Sequence, residues 1–150
     1  MDWGYFHQPP MIAAFIKAGY AIFQSELGVR LLTVLGSSLG IPILFSLTKS
    51  KDVKTFALVF LGLILTHAGV FMAVPDSPLI FFTLVFLLLL RDYLKENKLT
   101  TAVALGIVAA ALMYSKYHSI VLFASVFLAI PKLILRKSFW VTVVIGVGLF

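Results

Sequence analysis

Six apolar segments, three of them long enough to span a bilayer and almost free of charge, constrain this chain more than any other feature. Hydrophobic residues make up 61% of the 150 residues, charged residues make up 12%, and the mean hydropathy is +1.08. A water-soluble domain of this size could not hide so much apolar surface, whereas a bilayer core requires apolar segments of about 20 residues. The sequence therefore predicts an all-α, polytopic transmembrane helical bundle, with membrane helices at about residues 29–48, 55–74, 78–93, 99–115, 118–131 and 138–150.

The basic residues are grouped between the apolar segments. The net charge is +6, and nine of the twelve Lys and Arg residues lie in three short clusters. These clusters are Lys49, Lys51 and Lys54; Arg91, Lys95 and Lys98; and Lys132, Arg136 and Lys137. Such clusters are typical of cytoplasmic loops under the positive-inside rule, so the charge does not indicate a nucleic-acid partner. The chain has no cysteine, which excludes disulfides and thiolate metal ligands.

The same charge pattern predicts where the other polar residues lie. If all three clusters are cytoplasmic, a helical hairpin that crosses the membrane twice must join each cluster to the next. The polar residues that cytoplasmic loops do not explain then gather on the opposite side: Asp2, His7, Gln8, Glu26, Arg30, Asp76, Lys116 and His118. One side is a basic anchor, and the other has the mixed chemistry expected of a functional site.

Residues 1–27 are interpreted as an outer loop followed by an amphipathic helix in the outer membrane interface. Residues 10–27 are apolar at roughly helical spacing but include Lys17, Gln24 and Glu26, and a double proline stands at their start. A tilted membrane-spanning helix is the alternative, and it would move the N-terminus to the other side of the membrane.

Asp76 and Lys116 are the main candidates for a chemical role. Asp76 lies at the mouth of a predicted helix, where it could cap the helix, act as a general base or hold a metal ion. Lys116 lies between two apolar segments in SKYHS, where it could anchor the membrane interface or bind a phosphate. Glu26 and Arg30 are four residues apart and are expected to pair on a helix, unless Arg30 faces an anionic ligand.

Other polar and small residues inside the apolar segments fit packing roles. His67 is expected to lie in a helix–helix contact, Gly36 and Gly40 to let helices approach closely, and Pro42 to kink its helix. The sequence contains no phosphate-binding glycine loop, no HExxH and no nucleophile elbow.

Four stretches in order, DWGYFHQPPMIAAFIK, SELGVRLLTVLG, VPDSPLIFF and SKYHSIVL, resemble the polytopic type C glycosyltransferases. The most similar group is the protein O-mannosyltransferase and aminoarabinose-transferase superfamily. The resemblance implies transfer of a sugar from a polyprenyl-phosphate donor to a lipid, glycan or protein acceptor on the non-cytoplasmic face. It also implies an integral protein of a bacterial inner membrane, with its site facing the periplasm or exterior and membrane lipid around it.

The resemblance also implies roles for individual residues. Asp76 matches an acidic residue that lines the catalytic cleft, and Lys116 matches a lysine near the donor phosphate. Tyr117, Gln8 and Arg30 join Lys116 as expected donor-phosphate ligands. His7 is expected there too, in place of an acidic residue of the family, and its imidazole can bind a phosphate. Whether a divalent metal ion shared by Asp76 and the phosphate takes part stays open.

The family's first membrane helix and its principal catalytic carboxylate have no counterpart after Met1. We therefore expect residues 1–150 to be the N-terminal part of a membrane glycosyltransferase domain, inactive alone. Two alternatives remain from the residues themselves. One is a non-enzymatic membrane protein, such as a transporter or assembly subunit, in which Asp76 and Lys116 pair structurally. The other is a flippase-like handler of lipid-linked sugars.

Overall fold

The computed structural model describes residues 10–48, 52–62, 73–74 and 76–150, and within these ranges it is helical without a β-strand. The predicted all-α class is confirmed. The helices are α1 (Met11–Ile22), α2 (Glu26–Leu47), α3 (Val53–Gly62), α4 (Asp76–Glu96), α5 (Leu99–Ser115), α6 (Ser119–Ala129) and α7 (Lys137–Leu149), with a 3₁₀ helix at Pro131–Leu135 between α6 and α7.

Two helices of the described ranges are long and apolar enough to cross a membrane. These are α2, with 22 residues, and α4, with 21 residues. At 1.5 Å per residue each is about 32 Å long, which matches a hydrocarbon core of about 30 Å. Four shorter apolar helices accompany them, namely α1, α5, α6 and α7. The predicted helix at 55–74 is described only as far as Gly62, and His67 lies outside the described residues.

The N-terminal helix is shorter than predicted, because the chain turns before Glu26. Phe23 is extended, its carbonyl accepts a hydrogen bond from the N–H of Ser25, and α2 starts at Glu26 rather than near residue 29. Gly19 of α1 and Gly28 of α2 face each other across this turn. A Cβ on either glycine would overlap a backbone carbonyl oxygen, so the close crossing requires glycine at both positions. The location of α1 in a membrane interface stays a prediction.

Helices α2 and α4 run parallel to each other. Gly36 lies against Phe81, Gly40 lies against Leu84, and Arg91 donates a hydrogen bond to the Ser46 carbonyl oxygen at 3.0 Å. The contacts advance along both helices together, which is the relative direction that the charge pattern predicts. Helix α2 continues through Pro42 to Leu47.

Helices α5 and α7 are also parallel and form a close pair. Gly106 of α5 lies against Ile145, and the Thr142 hydroxyl donates a hydrogen bond of 2.8 Å to the Ala102 carbonyl oxygen. At the far end, the Tyr114 hydroxyl donates to the Leu149 carbonyl oxygen at 3.0 Å. The buried core lies where α4, α5, α7 and the 3₁₀ helix meet, and its members include Phe86, Leu90, Tyr93, Leu105, Leu112, Leu133 and Phe139.

These directions give the bundle two chemically different ends. The first, here called the basic end, holds the carboxyl ends of α2 and α4 and the start of α7, and it includes Lys54, Arg91, Lys95, Lys98, Lys132, Arg136 and Lys137. The second, here called the paired end, holds the start of α4, the end of α5 and the start of α6, with Asp76 and Lys116.

Candidate functional site

An ion pair between Asp76 and Lys116 forms the centre of the paired end. The Lys116 Nζ lies 2.5 Å from the Asp76 Oδ1, although the two residues are 40 positions apart in the chain. The lysine side chain is 33% exposed and the aspartate side chain is 54% exposed. The sequence marked both residues as candidates, and the antiparallel packing of α4 on α5 brings them into contact.

The start of α4 fixes the position of Asp76. Asp76 is the first residue of the helix, the N–H of Ser77 donates to the Val74 carbonyl oxygen, and Pro78 is fully buried. A carboxylate in the first turn is favoured by the helix dipole, so Asp76 also stabilises the helix start. The expected capping hydrogen bond is not formed, because the Asp76 carboxylate contacts Lys116 and accepts no backbone N–H in the described part of the chain.

Lys116 is held on a fixed backbone between two helices. Its N–H donates to the Leu112 carbonyl oxygen and closes α5, its own backbone is extended, and its carbonyl oxygen accepts from the N–H of Ser119 at the start of α6. The backbone is thus tied on both sides, while the flexible four-carbon side chain carries the ammonium group to Asp76.

The two serines that flank this step were not identified from the sequence. Ser115 is buried and its hydroxyl donates to the Ala111 carbonyl oxygen at 2.7 Å. Ser119 is 2% exposed, and its hydroxyl has no hydrogen-bond partner in the described part of the chain. Helical spacing could not have found them, because Ser115 ends α5, Lys116 is extended and Ser119 begins α6.

The remaining predicted site residues are placed differently. Tyr117 follows Lys116 directly and is 60% exposed, as expected for a residue that meets a ligand or the membrane interface. Arg30 is exposed on α2. Residues of α2 contact residues of α4 about 45 positions later in the chain, so Arg30 is level with the start of α4. His7 and Gln8, and with them Asp2, lie outside the described residues.

The expected ion pair between Glu26 and Arg30 does not form, since the described ion pairs do not include it. Both residues are exposed at the start of α2. An exposed pair gains little free energy and costs side-chain entropy, so four-residue spacing permits this contact without requiring it. Arg30 therefore has no ion-pair partner among the described residues.

An apolar groove lies between α5, α6 and α7. It begins at Met113, one turn before Lys116, and extends along Phe123 and Phe127 to Phe139 near the basic end. Its one lining hydroxyl, that of Thr142, already donates to the Ala102 carbonyl oxygen. The groove can therefore accept an apolar chain but offers little for polar recognition.

Arg136 of the basic end has structural partners. Arg136 donates to the carbonyl oxygens of Tyr93 and Leu94 at 3.1 and 3.4 Å, and its guanidinium lies 5.5 Å from the centre of the Tyr93 ring. The Tyr93 and Ser138 hydroxyls are 2.6 Å apart, and Ser138 donates to the Asn97 side-chain oxygen at 2.7 Å. Since these groups close the carboxyl end of α4, they join helices rather than form a second site.

Two exposed groups near the basic end have shifted pKa values with clear causes. Hydrogen bonds from the Thr55 hydroxyl and from the N–H of Lys54 lower the pKa of Asp52, which caps the start of α3. The pKa of Lys98 is raised by its hydrogen bond and ion pair with Glu96, at 2.6 Å. Both groups stabilise local structure at the helix ends.

The described residues contain no cluster of three or more His, Asp or Glu side chains that could hold a metal ion. A divalent cation at Asp76 would therefore need ligands from outside these residues, such as His7, or from the phosphate of a substrate. The pair with Lys116 already neutralises the charge of Asp76.

The fold and the site define an all-α helical bundle with two candidate membrane spans and a carboxylate–ammonium pair at one end. The chain belongs to the family described as dolichyl-phosphate-mannose-protein mannosyltransferase, whose model matches residues 7–150. No curated protein and no solved structure matches the chain. Family membership confirms the resemblance to the protein O-mannosyltransferase superfamily, indicates a glycosyltransferase with a sugar donor and an acceptor, and is consistent with a location in a membrane.

Proposed function

We propose that this chain forms part of a glycosyltransferase that moves a sugar from a polyprenyl-phosphate donor to a lipid, glycan or protein acceptor. The observation that carries the proposal is the Asp76–Lys116 pair, at the end of the bundle opposite to the basic clusters. Under the positive-inside rule, the basic end is cytoplasmic and the paired end lies on the non-cytoplasmic face. In a bacterium this arrangement corresponds to the inner membrane with the site facing the periplasm or exterior.

The chemistry of the pair suits transfer by direct displacement. The acceptor hydroxyl attacks the anomeric carbon of the donor, and its proton passes to the Asp76 carboxylate. The bond from the anomeric carbon to the phosphate oxygen breaks, and the electron pair leaves with the phosphate. Lys116 donates hydrogen bonds to that developing negative charge, so the displacement needs no covalent enzyme intermediate.

Other residues of the paired end complete the donor site in this proposal. Arg30 and Tyr117 supply further hydrogen-bond donors to the phosphate, and His7 and Gln8 are proposed as additional phosphate ligands. The apolar groove that starts at Met113 accepts the polyprenyl chain, because it begins next to the lysine step and has an almost entirely apolar lining.

The test uses the natural full-length protein in lipid nanodiscs and measures sugar transfer from a polyprenyl-phosphate sugar. Asp76→Asn and Lys116→Ala should each reduce transfer by at least 100-fold, in the range typical for loss of one catalytic group. Asp92→Asn and Lys137→Ala change the same charges at the basic end and should retain near-normal transfer. Thermal unfolding of all four variants controls for folding.

A charge swap separates this proposal from a non-enzymatic role. If the pair only joins α4 to α5, Asp76→Lys combined with Lys116→Asp restores the ion pair and the behaviour of the wild type. If the pair performs chemistry, the swapped protein regains stability but not transfer, because the base and the phosphate ligand have exchanged places. Transfer by the swapped protein at the wild-type rate would exclude the proposed roles.

A further inference from the structure

We infer that Asp76 and the donor phosphate compete for Lys116, so that donor binding releases Asp76 to act as the base. This inference rests on the proposed function. It assigns Lys116 two successive anionic partners, and it makes the donor the first substrate to bind in each reaction cycle.

Without substrate, Asp76 and Lys116 are bound to each other. The Lys116 Nζ and the Asp76 Oδ1 are in direct contact at 2.5 Å, and in the described ranges neither side chain has another polar partner. The oxygen that would take the acceptor's proton therefore already accepts a hydrogen bond. The ammonium that would bind the phosphate is likewise held by a carboxylate.

The ion pair between Asp76 and Lys116 can open without a change in the helices. Hydrogen bonds on both sides tie the Lys116 backbone, but its side chain is 33% exposed and the Asp76 side chain is 54% exposed. A phosphate can therefore reach Nζ from the open side of the pair. Rotation about the four-carbon side chain then moves the ammonium group from the carboxylate to the phosphate.

Keeping both the Asp76 carboxylate and the donor phosphate at the Lys116 ammonium group costs free energy. A phosphate beside Nζ would stand within a few ångströms of the Asp76 carboxylate, and like charges at that distance repel. Moving Lys116 toward the phosphate relieves this repulsion and leaves both Asp76 oxygens free for the acceptor hydroxyl. The base is consequently available only when the leaving group is already bound.

This competition predicts an unusual effect of removing the carboxylate. Asp76→Asn abolishes transfer but frees Lys116 and removes the repulsion, so donor affinity should rise. An exposed ion pair stabilises its partners weakly, which sets the expected gain at about two- to fivefold in Kd. A carboxylate that only contacts the donor sugar, or that holds a metal ion for the phosphate, would give weaker donor binding in the same variant.

The experiment measures binding of a sugar-free polyprenyl phosphate to the full-length protein in nanodiscs by isothermal titration calorimetry. Wild type should bind, Asp76→Asn and Asp76→Ser should bind about two- to fivefold more tightly, and Asp92→Asn should match the wild type. Serine is included because it is well tolerated at helix starts, so that one variant keeps the fold if the other does not. Lys116→Ala should lose at least tenfold in affinity.

The outcomes separate this inference from the function on which it rests. Binding to wild type with equal or weaker binding to both Asp76 variants would overturn the competition, while the donor class of the proposed function would stand. Absence of binding to the wild type and to every variant would overturn both. If the polyprenyl phosphate binds the two Asp76 variants more tightly than the wild type, while Asp92→Asn binds it like the wild type, the competition is supported.

Discussion

The close contact of α5 with α7 gives the sharpest test of the packing, because it depends on one missing methyl group. A Cβ at Gly106 would lie 2.7 Å from the Ile145 Cβ and 2.9 Å from the Thr142 carbonyl oxygen. Ordinary carbon–carbon contacts are about 3.5–4.0 Å, so Gly106→Ala must move the two helices apart by about 1 Å. The neighbour at Ile145 is a Cβ, which cannot rotate away.

The size of the effect follows from what this movement breaks. Overpacking of a helix contact costs about 1–3 kcal/mol. A shift of about 1 Å also breaks the hydrogen bond from Thr142 to Ala102, now 2.8 Å, at a further cost of about 0.5–1.5 kcal/mol. The better helix propensity of alanine returns about 1 kcal/mol. We therefore expect Gly106→Ala to lower the free energy of unfolding by about 0.5–3.5 kcal/mol.

Two other glycines of the same helix pair provide matched controls. A Cβ at Gly146 would meet its nearest neighbours at 3.5 Å, an ordinary contact, and a Cβ at Gly148 would meet nothing within 4 Å. Gly146→Ala should be close to neutral, and Gly148→Ala should be neutral or stabilising by up to about 1 kcal/mol. Unfolding of the protein in mild detergent, followed by circular dichroism, measures all three. Equal shifts for Gly106→Ala and Gly148→Ala would refute the packing argument.

Three further predictions concern the helix ends. Arg136→Gln removes the hydrogen bonds to the end of α4 and should lower the free energy of unfolding by about 1–3 kcal/mol, whereas Lys137→Gln, at an exposed site, should change it by less than about 0.5 kcal/mol in the same unfolding assay. Ser119→Ala removes a buried hydroxyl that has no partner in the described chain and should raise the free energy of unfolding by about 1 kcal/mol. Ser115→Ala removes the hydrogen bond to the Ala111 carbonyl oxygen and should lower the free energy of unfolding, so shifts of the same sign in the two variants would contradict this prediction. The pKa of Asp52 is below its ordinary value of 3.8, so its stabilisation of α3 is present above that pH and is lost as the pH falls through the lowered pKa. The protection factors of the amides at the start of α3, which correct for the intrinsic exchange rate at each pH, should therefore fall in acid, and Asp52→Ala should show low protection at every pH.

The sequence indicated Asp76 and Lys116 as candidates, and the structure brings the two residues into contact. Asp76 and Lys116 were identified because a charged group next to apolar segments requires an explanation. The contact between them depends on the packing of α4 on α5 across 40 residues, which no local pattern shows. The pairing of Glu26 with Arg30 failed for the opposite reason, since helical spacing brings two exposed side chains near each other without making their contact favourable.

The sequence by itself determined the class of the fold and its two chemically distinct ends. The long apolar segments predicted helices, and the spacing of the basic clusters predicted that α2 and α4 run in the same direction. The tertiary structure alone decided the turn at Phe23 before α2 and the burial of the Ser119 hydroxyl without a partner in the described chain, and it chose the ion pair of Asp76 with Lys116 from the alternatives that the sequence left open. These features depend on how the helix surfaces meet. The way helix surfaces meet is set by the shapes of their side chains, and the patterns of hydropathy and charge do not contain this information.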